Sequence, residues 1–374
     1  MKRFSVALLA LLVLLINGVA SAQSNSGDPE PASLDIEIGQ MLDIGFRGLQ
    51  IADTNHIVRD IKKYHLGGVV LFDYDVPSKS PVRNIKSPEQ LKRLVRNLKK
   101  LSNIPLMVSI DQEGGKVARL DPTHGFPKTV SEQYLGNLNN PDTTRLYARR
   151  TAKTLDKMGI NVDLAPVVDL NINPENPVIG KLGRSYSANP KIVIKQASIF
   201  IKTLHRYGIL TVLKHFPGHG SSTSDSHLGV VDVTQTWSKK ELSPYKQLID
   251  SNLVDMVMTA HIFNTNIDSS YPATMSKPTI TGILRDSLGF NGVVMSDDMM
   301  MGAIRKEYGL KTAIKQAILA GDDILSFANN SIYDPQIVPK AHAIIKNMVQ
   351  DGEISRERIN QSYKRIMRLK SRLQ

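Results

Sequence analysis

Three observations predict an α/β fold, a (β/α)8 TIM-like barrel built as a single domain. Eight apolar runs of strand length alternate with longer amphipathic stretches along the 374 residues. The runs are short and nearly continuous in apolar residues, as parallel strands covered by helices are. Composition is even from Leu34 onward, over a length that matches such a barrel. Eight βα repeats favour closure over an open doubly wound sheet, and no Gly-x-Gly-x-x-Gly follows an early strand, which weighs against dinucleotide binding.

In chain order, residues 1–22 read as a signal peptide. Lys2 and Arg3 precede an apolar run from Val6 to Ile16, and Ala20-Ser21-Ala22 is a small-x-small cleavage pattern. The run is short of the roughly 20 apolar residues a spanning helix needs, so export to the periplasm or medium is expected, without stable membrane insertion after cleavage. Residues 23–33, rich in Ser, Asn, Gly and Pro, form a polar linker, and residues 34–374 form the barrel with a C-terminal helix. Strands are expected at Met41–Phe46, Gly68–Phe72, Leu106–Ile110, Val162–Ala165, Thr211–Leu213, Met256–Ala260, Val293–Ser296 and Asp323–Phe327. Helices are expected at Pro88–Leu101 behind the N-cap Ser87, and at Lys191–Tyr207, Gly302–Leu319, Gln336–Met348 and Ile354–Leu373. The last has a narrow apolar stripe, suited to docking on the barrel rather than to a membrane or nucleic acid.

There is no cysteine, which excludes disulfides, zinc thiolates and thiol nucleophiles. The formal charge is +12, and two of those charges, Lys2 and Arg3, lie in the leader. Such a balance suits an acidic partner, but the basic residues are scattered and aromatic residues make up 6%, so no nucleic-acid partner is expected.

Polar residues cluster at the ends of the expected strands, the face where barrels of this type carry their sites. Asp111, Gln112 and Glu113 end the third, Lys214 and His215 the fifth, His261 the sixth, and Ser296, Asp297 and Asp298 the seventh. A carboxylate after the buried run Val293-Val294-Met295 is costly unless paired or functional, and alternation lets only one of Asp297 and Asp298 face the mouth. The other would cap the helix near Gly302 or pair with a base on the rim. Asp225-Ser226-His227 reads either as a dyad able to give and take a proton or as a polar turn. His215 and His219 have zinc-helix spacing, but Pro217 and Gly218 break such a helix and no further ligand set appears, so no metal site is expected. Lys214, His215, Arg119 and Arg184 are candidate hydrogen-bond donors to a substrate.

Asp111-Gln112-Glu113-Gly114-Gly115-Lys116-Val117-Ala118-Arg119, Gly183-Arg184-Ser185, Lys214-His215-Phe216-Pro217-Gly218-His219-Gly220 with Asp225-Ser226-His227, and Ser296-Asp297-Asp298 occur in this order. Together they resemble the β-N-acetylglucosaminidases of glycoside hydrolase family 3. The resemblance implies a barrel enzyme that removes terminal β-linked N-acetylglucosamine with retention, without metal or organic cofactor. It implies Asp297 as nucleophile, His227 as acid/base and Asp225 as the partner that tunes it. It assigns Asp111, Arg119, Arg184, Lys214 and His215 to holding the sugar. Lys116 departs from an arginine common in the family, and Met299-Met300-Met301 from a leucine and small polar residue before the methionine. The leading expectation is an exo-acting enzyme on peptidoglycan fragments. The alternatives are a phosphorylase, because a histidine base repels phosphate less than a carboxylate does, and a non-catalytic glycan-binding protein.

Overall fold

A computed structural model describes residues 32–226 and 229–373, which leaves the expected leader and most of the linker outside the described residues. Eight parallel strands form one sheet in sequence order: β1 (Leu42–Gly45), β2 (Gly68–Leu71), β3 (Met107–Ile110), β4 (Val162–Asp163), β5 (Leu210–Phe216), β6 (Met256–Thr259), β7 (Val293–Ser296) and β8 (Leu325–Phe327). β1 pairs with β8 in the register Leu42↔Leu325, and a parallel bridge between Met295 and Ile324 joins β7 to β8. The ring therefore closes, as the eight apolar runs predicted. β4 is shorter than expected as a regular strand, although hydrogen bonds from Leu164 to Ile110 and from Val168 to Lys214 carry the pairing past it, and β5 is longer, carrying Lys214 and His215 within the strand.

The sequence explains the outer helices locally. In the helix Pro88–Lys99 the Ser87 hydroxyl accepts from the Gln90 N–H, Pro88 occupies the first turn, and Leu91, Leu94, Val95 and Leu98 are buried on one face. Each such side chain contributes about 1.5–3 kcal/mol of burial. The helix Pro190–His205 repeats the pattern behind Asn189. The expected helix at Gly302–Leu319 exists but is broken. Gly309 has φ 71° and ψ 161°, outside helical space, so two helical pieces meet at the only residue type that adopts this backbone cheaply.

The opening helix Leu34–Gln40 and the last helix Arg356–Lys370 meet at the end where the strands begin, and the helix Ile337–Gln350 packs against the first of them. In the last helix, Ser355 caps Arg358 N, and Ile359, Tyr363, Ile366 and Leu369 are buried, so it docks on the barrel as its stripe required. Arg356 pairs with Glu37, and the buried Lys370 ammonium donates to Gln40 Oε1 (2.6 Å) and Gly67 O (2.7 Å). Burial pushes the Lys370 amine down to about 7, against the pull of Asp43. No helix among the described residues is long and apolar enough to cross a membrane.

Candidate active site

At the carboxyl ends of the strands lies a cavity of about 390 Å³. Its floor is the top interior layer of the barrel, Val70, Leu164, Met258 and Ser326. Asp111, Arg119, Arg184, Lys214, His215, Asp225 and Asp297 all line it. These come from three different strand ends and three loops, and the structure brings them to one place.

Two carboxylates, Asp111 and the buried Glu113, and two cations, Arg184 and the buried Lys214, interlock at the polar end. Lys214 Nζ lies 2.7 Å from Asp111 Oδ1 and 2.7 Å from Glu113 Oε1. Arg184 donates from Nε and Nη2 to the two oxygens of Glu113, each at 2.7 Å, a bidentate pair that fixes the guanidinium plane. Arg119 Nη2 adds a bond to Asp111 Oδ2 at 3.2 Å and approaches Asp73 at 3.7 Å. Burial alone would raise the Asp111 carboxyl, but Lys214 and Arg119 outweigh it and hold the group well below the usual range. Glu113 is likewise lowered, burial being outweighed by Arg184 and Lys214. Lys214 is raised, because Asp111 and Glu113 overcome its own desolvation. The result is a rigid set of charged groups in near balance, suited to a neutral polyhydroxylic ligand more than to an anion.

His215 is oriented by Asp169, a residue the sequence reading missed. The Asp169 carboxylate accepts from His215 Nδ1 (2.7 Å), from His215 N (3.1 Å) and from His219 N (2.8 Å). Arg184 Nη2 faces His215 Nε2 at 3.3 Å, and a guanidinium can only donate, so the ring proton sits on Nδ1 and Nε2 accepts. His219 is turned away into Ser222 and Ser226, and burial pushes its pKa down to about 4. Among the described residues no group of three His, Asp or Glu side chains is placed to hold a metal ion. Gly220 is required by close approach, since a Cβ there would lie 1.7 Å from Leu170 O.

Both aspartates line the cavity, so alternation does not turn one of them away from the mouth, and what distinguishes them is their hydrogen bonding. Asp298 Oδ1 accepts from Met300 N (3.0 Å) and Ala328 N (2.9 Å), tying the end of β7 to the end of β8. It does not cap the helix at Gly302, whose N-cap position is Met301. Asp297 is more open, with Oδ1 accepting from Asp298 N at 2.7 Å. His261 is a correction: it lies outside the cavity lining, its Nδ1 on Thr274 Oγ1 (2.8 Å) and its Nε2 donating to Asp298 O (2.9 Å), so it braces the aspartate turn from behind. His227 lies outside the described residues, although Asp225 beside it lines the cavity. Asp169 had the same signal as Asp297, a carboxylate in the apolar run Ala165-Pro166-Val167-Val168-Asp169-Leu170. Glu113 was noted only as a neighbour of Asp111.

The model of the glycosyl hydrolase family 3 N-terminal domain matches residues 33–369. The chain belongs to this family. Among curated family 3 relatives, β-hexosaminidase A of Pseudoalteromonas piscicida is 33% identical over 84% of this chain and 54% of its own length. β-Hexosaminidase LpqI of Mycobacterium tuberculosis is 30% identical over 94% of this chain and 86% of its own. A family 3 β-N-acetylglucosaminidase from Paenibacillus superposes with a TM-score of 0.83 at 33% identity, covering 91% of this chain and 63% of that one. The β-N-acetylhexosaminidase of Beutenbergia cavernae gives 0.81 at 26% identity, covering 91% and 99%. This family 3 barrel thus spans about half the length of the first of these relatives and nearly all of the last.

Proposed function

We infer that the chain is a retaining exo-β-N-acetylglucosaminidase that removes terminal β-linked N-acetylglucosamine, with peptidoglycan fragments as its source of substrate after export. The observation that carries this reading is the placement of Asp297 at the end of β7, in the same cavity as the paired set Asp111, Arg119, Arg184, Lys214 and His215. That set offers fixed donors and acceptors to sugar hydroxyls and the acetamido group. Asp297 attacks the anomeric carbon as His227 protonates the leaving oxygen, forming a glycosyl-aspartate; His227 then deprotonates the water that releases the sugar. Retaining enzymes usually place two carboxyl groups about 5–5.5 Å apart. Here a histidine fills the second role, with an unperturbed pKa near 6.5 that suits proton transfer near neutrality. Asp225 tunes it, and the reaction needs no metal or organic cofactor. Each cavity cation has a carboxylate within 3.2 Å, which weighs against phosphate as the attacking group.

The test is hydrolysis of an aryl β-N-acetylglucosaminide by the wild type, Asp297→Ala and His227→Ala, with and without azide. The expected result is loss of turnover in Asp297→Ala and a β-glycosyl azide from His227→Ala. Wild-type turnover by Asp297→Ala would remove the nucleophile assignment.

A further inference from the structure

The turn after β2 has no part in the reading above. It leaves the mouth end of the strand, doubles back through an antiparallel bridge between Asp75 and Ser80, and returns at Arg83. Asp75 is 3% exposed, while Tyr74 and Val76 on either side are 41% and 52% exposed. This is the two-residue alternation of an extended segment, with one side chain inward and its neighbours outward.

The inward side is locked. Arg47 donates to the two oxygens of Asp75 from Nε (3.1 Å) and Nη2 (2.9 Å), and Arg83 and the Ser78 hydroxyl bind the same carboxylate. Asn330, from the loop after β8, clamps the backbone: its Nδ2 donates to Tyr74 O (3.1 Å) and its Oδ1 accepts from Val76 N (3.1 Å). Arg83 braces the clamp, donating to Asn330 Oδ1 (3.0 Å) and Asn329 O (2.8 Å). A segment held this firmly presents its outward side chains at little ordering cost on binding.

Tyr74 and Val76 line the cavity that also holds Asp225 and Asp297, with Asn330 and Ser331 beside them. The cavity therefore has a charged end at Arg184, Lys214 and His215 and an apolar lip at Tyr74 and Val76. A half-exposed tyrosine and valine at the mouth of a polar site mark a surface that a ligand covers. The chemistry of such a lip suits a pyranose, whose ring carbons form an apolar C–H face of aromatic size and whose hydroxyls can reach the exposed Ser331.

We propose that the Tyr74–Val76 lip is the acceptor-side subsite, which holds the leaving half of the substrate as a second pyranose ring packed on Tyr74. The proposal rests on the reading that Asp297 attacks a terminal sugar held at the charged end. Tyr74 contacts the leaving sugar, and Asp75 and Asn330 are positioning residues for it. The test compares kcat/KM for a β-1,4-linked N-acetylglucosamine disaccharide with that for methyl β-N-acetylglucosaminide, whose leaving group is too small to reach the lip. Tyr74→Ala is expected to lower the disaccharide-to-methyl ratio about tenfold, and Tyr74→Phe to keep it within about twofold of wild type, because the ring and not the hydroxyl makes the contact. An unchanged ratio in Tyr74→Ala, or an equal loss on both substrates, overturns the lip while leaving the hydrolase reading in place. A wild type that cleaves neither substrate removes the hydrolase reading and the lip with it.

Discussion

At the mouth of the barrel, Asp111 and Glu113 lie beside Lys214, Arg119 and Arg184, and their carboxyls stay below the usual range. In the barrel interior Asp43 is buried as Glu113 is, with the hydroxyls of Ser326 and Ser109 against it, and burial pushes its carboxyl up to about 7. Among the described residues the Asp43 Oδ1 atom has no hydrogen-bond partner. The difference is whether a cation bonds the carboxylate: Lys214 and Arg119 touch Asp111, and Arg184 and Lys214 touch Glu113, whereas the buried Lys370 acts on Asp43 only at longer range. Charge at the mouth is thus maintained by matched partners, whereas the interior tolerates a carboxyl only because it can take up a proton.

The largest test of the comparison is catalytic. Asp297→Ala is expected to lower kcat about 10³-fold or more on an aryl β-N-acetylglucosaminide, because the attacking carboxylate would be lost. Stopped-flow or endpoint assay of the purified variant measures it, and a loss under tenfold would mean that the mouth charges share the task.

Removing one partner from the mouth should cost stability. Glu113→Gln leaves Arg184 and Lys214 with Asp111 as their remaining carboxylate partner, and about 3 kcal/mol of loss in urea unfolding is expected at pH 7. The equivalent change in the interior should have the opposite sign. The Asp43 carboxyl is raised in the folded state, so the folded protein binds its proton more tightly than the unfolded chain does. Stability from this group is then greatest below about 3.8 and falls as pH rises through about 7. Asp43→Asn is expected to stabilise the protein at pH 8 by on the order of 2 kcal/mol and to flatten the decline between pH 4 and 8. A destabilised Asp43→Asn at pH 8 would show that the Asp43 charge is matched, with Lys370 the nearest candidate.

The smallest effect expected is none. Because Arg119, Arg184 and Lys214 balance the mouth carboxylates, dialysis against a chelator should leave turnover unchanged, and a loss restored by a divalent cation would break the comparison at its root.

How much of this was legible beforehand follows from the kind of signal each part emits. All eight strands were readable because a parallel strand is apolar on both faces and announces itself as a run. The helix at Pro141–Met158 was not named, since its buried face is built from Thr144, Ala148, Thr151 and Ala152 beside Leu155 and Met158, too small and polar to give a clear stripe. The irregular helical turn at Pro278–Ser287 was missed as well. In the site, Asp111, Lys214, His215 and Asp297 were legible because they sit in dense motifs at strand ends, whereas Tyr74, Val76 and Asn330, which also line the cavity, sit in no such motif. Asp169 and the Asp75 network were not, because their role is to hold other groups, and that depends on which segments meet in space. His261 misled for the converse reason: it sits at a strand end, yet its side chain serves the aspartate turn and not the cavity.

The stitching of the first helix to the last, through Glu37 with Arg356 and Gln40 with Lys370, has a consequence for how the molecule can be presented. Both helices lie beneath the strands, at the end where β1 and β2 begin. Chain arriving at residue 32 and chain departing at residue 373 therefore do so from the underside. An attachment made at either end holds the molecule by its base, with the mouth facing out toward arriving glycan.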